Sequence, residues 1–353
     1  PRIDFSNDAK GALLLEPNSS NKIPFSEDIN NSAWSKLNVT VSANSIMSPS
    51  GLLNADLITE NTVNGQHRII DIITLTSGVA HTISAFIKPN GSKFARLRLE
   101  NAAIGSGQIN VFFDLENGVV SSGNGSIEEY PNGWYRLKGF GTTSGVTNVI
   151  YVDLANADGA VSYQGDGVSG AYVWGAQVEQ ASYATSYIPT QGSAVTRIAD
   201  TCNNSANAQV INSTEGVLYA QISALSDSGN TYRLIGLNNG SGTNTNRIFI
   251  GYTNNNSIYA AINDTTIAFT VSSFDVKNFN KVAVVYNGSI AKLFINGSEV
   301  GSGITNAPTL SGLSRVDFSG SSTGANEFKG NTKDVRVYNT ALTDTELQAL
   351  TRI

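Results

Sequence analysis

Gly330-Asn331-Thr332-Lys333-Asp334-Val335-Arg336-Val337-Tyr338-Asn339-Thr340-Ala341-Leu342-Thr343-Asp344-Thr345-Glu346-Leu347-Gln348-Ala349-Leu350 reads as a strand that runs into one short helix. The helix start is written into the residues. The Thr343 hydroxyl can accept from the amide of Glu346 while that carboxylate reaches back, and Leu342 can pack on Leu347 as a hydrophobic staple. Just upstream, Lys292-Leu293-Phe294-Ile295-Asn296-Gly297-Ser298-Glu299-Val300 has the alternation and the Asn-Gly pair of a hairpin. Nothing before it carries a comparable helical pattern, so the fold class expected is all-β with one short C-terminal helix.

Composition agrees with that reading. Hydrophobic residues make up 40% of the 353 and charged residues only 14%, with 34 glycines, which favours many short strands joined by tight turns. The length suits two domains. A net charge of -6 argues against nucleic acid as a partner, because phosphate affinity rests on Lys and Arg displacing counterions. A single cysteine, Cys202, leaves no intrachain disulfide, and two histidines, His67 and His81, leave little material for a zinc site or a serine triad. No apolar run reaches the length of a membrane helix, so no membrane insertion is expected. The chain opens at Pro1 and reads as a piece of a longer polypeptide.

Asn-Gly pairs at Asn64, Asn90, Asn117, Asn124, Asn132, Asn239, Asn287 and Asn296 suit type I′ turns. Between the early ones lie alternating stretches at 83–87, 94–99, 109–115 and 148–154, which make the first half an antiparallel sandwich. A polar, Asn/Ser-rich stretch at 196–214 marks a linker. Further strands are expected at 217–223, 247–253, 257–263, 266–272, 281–286, 290–295, 315–319 and 332–338, enough for a second sandwich at 215–353. The first sandwich is placed at 36–195. Residues 1–35, with Leu13-Leu14-Leu15-Glu16-Pro17 and Trp34, are read as an N-terminal arm lying along it.

Several segments carry a resemblance. Pro1-Arg2-Ile3-Asp4-Phe5, Leu13-Leu14-Leu15-Glu16-Pro17, Phe25-Ser26-Glu27-Asp28, Asn132-Gly133-Trp134-Tyr135-Arg136, Tyr172 to Glu179 and Ser182 to Thr190 together resemble bacteriophage tail-fibre or virion carbohydrate-binding modules. Ala199 to Asn203 and Glu215 to Ala220 are similar to the junction with a laminin-G-like, concanavalin A-like lectin module, and the C-terminal hairpin and helix resemble that module's end. The resemblance implies two tandem sandwiches, a jelly-roll carbohydrate-binding type followed by the lectin type. It further implies a receptor-binding or tail-fibre protein on the exterior of a virion, commonly a homotrimer, which meets other virion proteins and host-surface polysaccharide or glycan. Two alternatives stay open: a structural fibre or decoration protein without glycan affinity, and the carbohydrate-binding region of a secreted bacterial enzyme.

Sugar recognition needs an aromatic plane for a pyranose face, flanked by planar hydrogen-bonding groups. Strand alternation puts Trp134 with Arg136 and Lys138 on one side, opposite Tyr135 and Leu137. Tyr151 and Asp153 oppose Ile150, Val152 and Leu154, and Arg96 and Arg98 oppose Leu97 and Leu99. If these strands share a sheet, Trp134, Arg136, Tyr151, Asp153, Arg96 and Arg98 form one outward surface. Trp174 and Trp34 are read as packing residues. In the second half Tyr232, Arg233, Tyr252 and Tyr259 are candidate contacts. Asp227, Asn230, Asn263 and Asp264 are oxygen-bearing loop residues of the kind calcium takes, although they are also ordinary turn formers. No other cofactor is expected.

Catalysis is not expected. Concanavalin-type hydrolases present their carboxylates as Glu-x-Asp-x-x-Glu or Glu-x-Asp-x-Glu, and no such string occurs in this chain. Glu128 and Glu129 precede Pro131 and read as a solvated turn.

Overall fold

The computed structural model describes residues 1–5, 9–105, 107–226, 231–243, 245–263, 267–321 and 323–353. Antiparallel strands dominate, with one α-helix, Asp344–Thr351, and one short 3-10 turn, Pro131–Gly133, among the described residues. The chain divides into two compact units, residues 18–198, and residues 1–17 together with 199–353.

Residues 18–198 form a sandwich of two sheets. One runs in the order Val119–Ser122, Gly107–Asp114, Phe94–Asn101, Thr147–Ala155, Asn64–Thr74, Ser162–Gln164. The other runs Gly125–Tyr130, Trp134–Thr142, Ala80–Asn90, Gly170–Glu179, Leu53–Glu60, Val39–Met47. Period-two alternation sends Leu97, Leu99, Val111 and Val152 inward from the first sheet and Ile83, Ile87, Leu137 and Val173 from the second, into a shared core. Each such side chain contributes about 1.5–3 kcal/mol by leaving water. Glu128 and Glu129, expected in a turn, belong to the strand Gly125–Tyr130, where Glu128 pairs with Lys138. His67 is buried with its ring bonded to the carbonyls of Asn38 and Tyr163. His81 is buried beside the Thr143 hydroxyl, and burial pushes its ring pKa down.

The other unit pairs a seven-stranded sheet with a five-stranded one. The larger runs Arg2–Asp4, Ala12–Leu15, Gly330–Tyr338, Gly216–Ala224, Asn280–Tyr286, Ile290–Ile295, Ser298–Thr305, and the smaller Ile267–Val271, Ile258–Ile262, Arg247–Tyr252, Arg233–Asn238, Arg315–Asp317. Leu218, Ile222, Val284 and Leu293 meet Ile235, Ile248 and Ile250 between them. The C-terminal helix covers the opposite face of the larger sheet, where Leu347 packs with Val217, Tyr219 and Phe294. Its start is the expected capping box. Glu346 donates its amide to Thr343 Oγ1 at 3.4 Å, and the Thr343 amide donates to Glu346 Oε2 at 2.8 Å.

Three expectations change. The arm at 1–35 does not lie as a whole on the first sandwich: Ala12–Leu15 pairs with Gly330–Tyr338, and Leu15 is fully buried in the core of the second unit. The apolar run 13–15 thus reads as a strand buried against that core, while Ser19–Asn21 and Trp34 do belong to the first sandwich. The stretch 196–214 is not a free linker, because Asp200 donates its amide to the Glu16 carbonyl, Cys202 accepts from the amide of Phe318, and Ile211 enters the core. Of the Asn-Gly pairs, Asn132-Gly133 and Asn296-Gly297 have both residues at positive φ as a type I′ turn requires. Asn64-Gly65 lies in extended strand instead, and Gly125 opens another strand where a Cβ would sit 2.4 Å from the Lys138 carbonyl oxygen.

Candidate functional site

The smaller sheet of the second unit has an outward face built by alternation. In Arg247–Tyr252 the residues Ile248, Ile250 and Tyr252 point into the core, so Arg247 and Phe249 point out. On the neighbouring strand Tyr259 stands opposite Gly251, which has no side chain to crowd the ring. Tyr259 stacks on Phe249 with centroids 5.9 Å apart and meets Tyr232 edge-on at 5.2 Å. The Arg247 guanidinium lies 5.3 Å from the Phe249 ring centre.

A loop closes this face into a cleft. Arg247 Nη1 donates to the carbonyl of Gly320 at 2.7 Å, and the amide of Leu234 donates to the carbonyl of Asn326 at 3.0 Å, so Gly320 and Asn326 are each tied to the sheet. The cleft has a volume of about 420 Å³, with Tyr232, Tyr259, Phe249, Arg247, Ser321 and Asn326 among its walls. None of the described residues lining it is acidic. Phe249, Arg247 and Ser321 are buried and form its floor, while the half-buried rings of Tyr232 and Tyr259 and the exposed amide of Asn326 can meet the apolar face and the hydroxyls of a sugar ring, in a volume typical of small-molecule sites.

Tyr232 and Tyr259 were expected as contacts and are half-buried walls of this cleft. Tyr252 is not a contact: it is fully buried, and its hydroxyl donates to the Ile222 carbonyl at 3.0 Å. Burial raises its phenol pKa, with Arg233 pulling the other way. Arg233 is also interior, with its guanidinium 5.3 Å from the Tyr252 ring centre and bonded to Asn256 Oδ1 and the Ser226 carbonyl. Phe249 and Arg247 are not among the contacts expected from the sequence, although both fall on the outward phase of Arg247-Ile248-Phe249-Ile250. Ser321 and Asn326 sit in a loop that has no periodic signal.

Of the calcium candidates, Asp227, Asn230 and Asp264 lie outside the described residues. Asn263 sits at φ 48 and its Oδ1 accepts the backbone amide of Arg247 at 3.3 Å, the behaviour of a turn former. Among the described residues no group of three or more His, Cys, Asp or Glu is placed to hold a metal ion.

The surface expected on the first unit is divided between its two sheets. Trp134 is 2% exposed and packs with Phe86, Trp174 and Tyr187. Arg136 is buried beside it, donating to the Thr185 carbonyl at 2.7 Å and to Ser84 Oγ at 3.2 Å. Alternation put these side chains on the correct face, but segment 180–190 covers that face. Trp174 is buried as expected. A bulge at Gly175, φ 63, puts it on this covered face and sends Val178 into the core between the sheets.

Arg96, Arg98, Tyr151 and Asp153 are brought together on the opposing sheet, where Tyr151 pairs with Arg98 and Asp153 with Arg96. They are ion-paired with one another, although Arg96 Nη2 and Asp153 Oδ1 are buried with no hydrogen-bond partner among the described residues. Arg96 Nε donates to the fully buried Asp153 at 3.1 Å, Arg98 and the Tyr151 hydroxyl both reach Glu100, and Arg68 and Arg98 lie 4.5 and 5.3 Å from the Tyr151 ring centre. Burial raises the Asp153 carboxyl pKa against the pull of Arg96 and Arg68. This is a closed charge ladder rather than an open platform.

Residues 218–348 match the family model of the concanavalin A-like lectin/glucanases superfamily, so the second unit is a lectin-like domain. No curated protein matches the chain in sequence. Among solved structures, the chain is similar to the CBM40 of the Ruminococcus gnavus IT-sialidase bound to α2,3-sialyllactose. That match has 19% identity and a TM-score of 0.36, and covers 44% of this chain and 97% of the other. It is similar to the SAP-like pentraxin of Limulus polyphemus, at 14% identity, a TM-score of 0.35 and coverage of 43% and 76%. It is also similar to domain 4 of a GH43 extracellular arabinanase from Geobacillus stearothermophilus in complex with arabinotriose, at 16% identity, a TM-score of 0.30 and coverage of 48% and 81%.

Proposed function

We propose that this chain binds glycan without catalysis, through the cleft of its lectin-like unit, as a tail-fibre or receptor-binding protein on the exterior of a bacteriophage particle. The observation that carries the glycan reading is the pair of half-buried rings Tyr232 and Tyr259 beside the exposed Asn326, set over the buried Phe249, Arg247 and Ser321 around one cleft. Rings supply the apolar contact, and the polar groups supply orientation. Glycoside hydrolysis needs two carboxylates across the scissile bond, and the described lining residues provide none. The virion setting and a homotrimeric state rest on the ordered segments from Pro1-Arg2-Ile3-Asp4-Phe5 to Tyr187-Ile188-Pro189-Thr190 that resemble phage modules.

The test is a glycan array and calorimetry on the full chain and on Tyr259→Ala. Affinity for the bound host polysaccharide should fall about tenfold or more, equivalent to about 1.4 kcal/mol, without release of new reducing ends by the parent. Unchanged affinity in Tyr259→Ala removes this cleft as the site, and steady polysaccharide turnover removes the non-catalytic reading. Light scattering on the same samples reads the oligomeric state.

A further inference from the structure

The sandwich formed by residues 18–198 has a cleft of its own, about 530 Å³ in volume, whose walls include Phe25, Glu27, Asp28, Asn44, Asn54 and Gln191. It belongs to neither of the surfaces described above. Its walls come from the strap 22–31, the hairpin of Val39–Met47 with Leu53–Glu60, and the chain at 190–191.

This cleft is built by buried polar groups. Asp56, 2% exposed, lies at its base and accepts the amides of Asn30 at 3.0 Å and Asn44 at 2.9 Å, so one carboxylate clamps both the strap and the hairpin. Burial pushes its carboxyl pKa up, against the pull of these amides. Asn44 holds φ 50 within the register shift between Ser42 and Ile46, a bulge that bends the edge strand away from its partner. On the other wall Trp34 Nε1 donates to the Phe25 carbonyl at 2.9 Å, and Phe25 bridges to Gln191, which fixes the ring at the rim. Glu27 is held by Asn54 Nδ2 at 3.0 Å and by the Tyr187 hydroxyl at 3.2 Å. Asn54 Oδ1, in contrast, is buried and has no hydrogen-bond partner among the described residues.

The chemistry of the lining defines a ligand. One half-buried aromatic ring offers apolar contact. Fixed carboxylates and side-chain amides offer closely spaced acceptors and donors, which match the vicinal hydroxyls of a sugar. No Lys, Arg or His is among the described residues that line the cleft. Lys36, whose ammonium feels Asp28 and Asp56, donates instead to the carbonyls of Asn30 and Asn31. Glu27, Asp28 and Asp56 would repel a uronate or a sulfated sugar, since a like charge brought into a partly desolvated site is penalised.

We propose that this cleft is a second saccharide site, selective for uncharged sugars, so that each of the two units carries its own glycan site. It stands on residues separate from the Tyr259 cleft, and the two readings fail separately. The experiment prints neutral oligosaccharides (mannose, galactose and N-acetylglucosamine trimers) beside a galacturonate trimer, and probes them with the full chain, Phe25→Ala, Asp28→Ala, Gln191→Ala and Tyr259→Ala. Asp28 and Gln191 are exposed, so their variants keep the fold if Phe25→Ala does not. Expected is a set of neutral spots that Tyr259→Ala retains and that Asp28→Ala or Gln191→Ala weakens about tenfold. The proposal is overturned if Tyr259→Ala removes every neutral spot, if the strap variants leave all of them unchanged, or if only galacturonate is bound.

Discussion

Leu14 stands opposite Asn331 in an antiparallel pair, so a residue near the start of the chain is hydrogen-bonded into the strand that ends at Tyr338. Residues 18–198 are therefore an insertion between two strands of the lectin-like unit. The chain leaves that unit after Pro17 and re-enters it at Ala199, and the two passages are tied there. Glu16 donates its amide to Asp200 Oδ2 at 3.0 Å, and Asp200 returns its amide to the Glu16 carbonyl at 2.9 Å. A chain in which a short Gly/Ser linker joins Pro17 to Ala199 should fold and unfold cooperatively, because the insertion points already lie side by side. A chain starting at Gly216 should lose stability, since it lacks Leu15 in the core and bares the edge of Gly330–Tyr338; Leu15→Ala alone should cost about 2–5 kcal/mol. Thermal and urea unfolding check both, and an unfolded excised chain would refute the insertion.

Trp134 contributes to stability rather than to recognition. It fills a cluster with Phe86 and Trp174 on a sheet face covered by the chain around Tyr187. Trp134→Ala should cost about 3–5 kcal/mol of folding free energy, the usual figure for deleting a buried large aromatic. The folded fraction should bind glycan with the parent affinity. Urea unfolding followed by calorimetry on the folded fraction separates the two effects, and a loss of affinity at full stability would return Trp134 to the binding surface.

The fold was largely legible because two-residue alternation and turn chemistry act locally. The strands around Leu97, Val111, Val152 and Leu293 follow from which residues must avoid water. What alternation could not supply is which outward face stays open. Trp134 and Tyr259 carry the same kind of signal, an aromatic on the face away from the core. One is covered by a segment about fifty residues further along the chain, and the other remains at a cleft. Arg233–Asn238 carries no clear strand signal, because Gly236 interrupts its apolar run. The sequence places Ala12–Leu15 with the wrong unit, since its partner strand lies more than three hundred residues away.

The C-terminal helix is only eight residues long, too short to persist without its cap and its packing. Thr343→Ala removes the hydroxyl that accepts the Glu346 amide and should cost about 1 kcal/mol, while Thr343→Ser keeps it. Leu347→Ala, which empties a fully buried position, should cost more, about 2–5 kcal/mol. Hydrogen exchange at 344–351 together with thermal unfolding reads both, and equal protection in Thr343→Ala and the parent would show that packing alone sets the helix.

Asp71 gives the clearest pH dependence. It lies on the inward phase of Asn64–Thr74 between Ile69 and Ile73 and is 5% exposed. Its Oδ1 accepts only the neighbouring Ile72 amide, and its Oδ2 is buried with no hydrogen-bond partner among the described residues. Burial therefore raises its carboxyl above the ordinary value, and the Ile72 amide recovers only part of the loss. At acid pH the group is neutral in both the folded and the unfolded chain. As pH rises past about 3.9 the unfolded chain ionises first, and stability falls until the pH passes the raised value of the folded state. Asp71→Asn removes that titration, so the variant should be more stable than the parent at pH 7, with the difference shrinking toward pH 4. Comparing the two proteins cancels carboxylates of opposite sign, such as Asp166, held down to about 2 by Ser169. Urea unfolding at intervals of pH measures the difference directly, and one that stays constant across the range would mean that Asp71 is not an ionised group in the folded core.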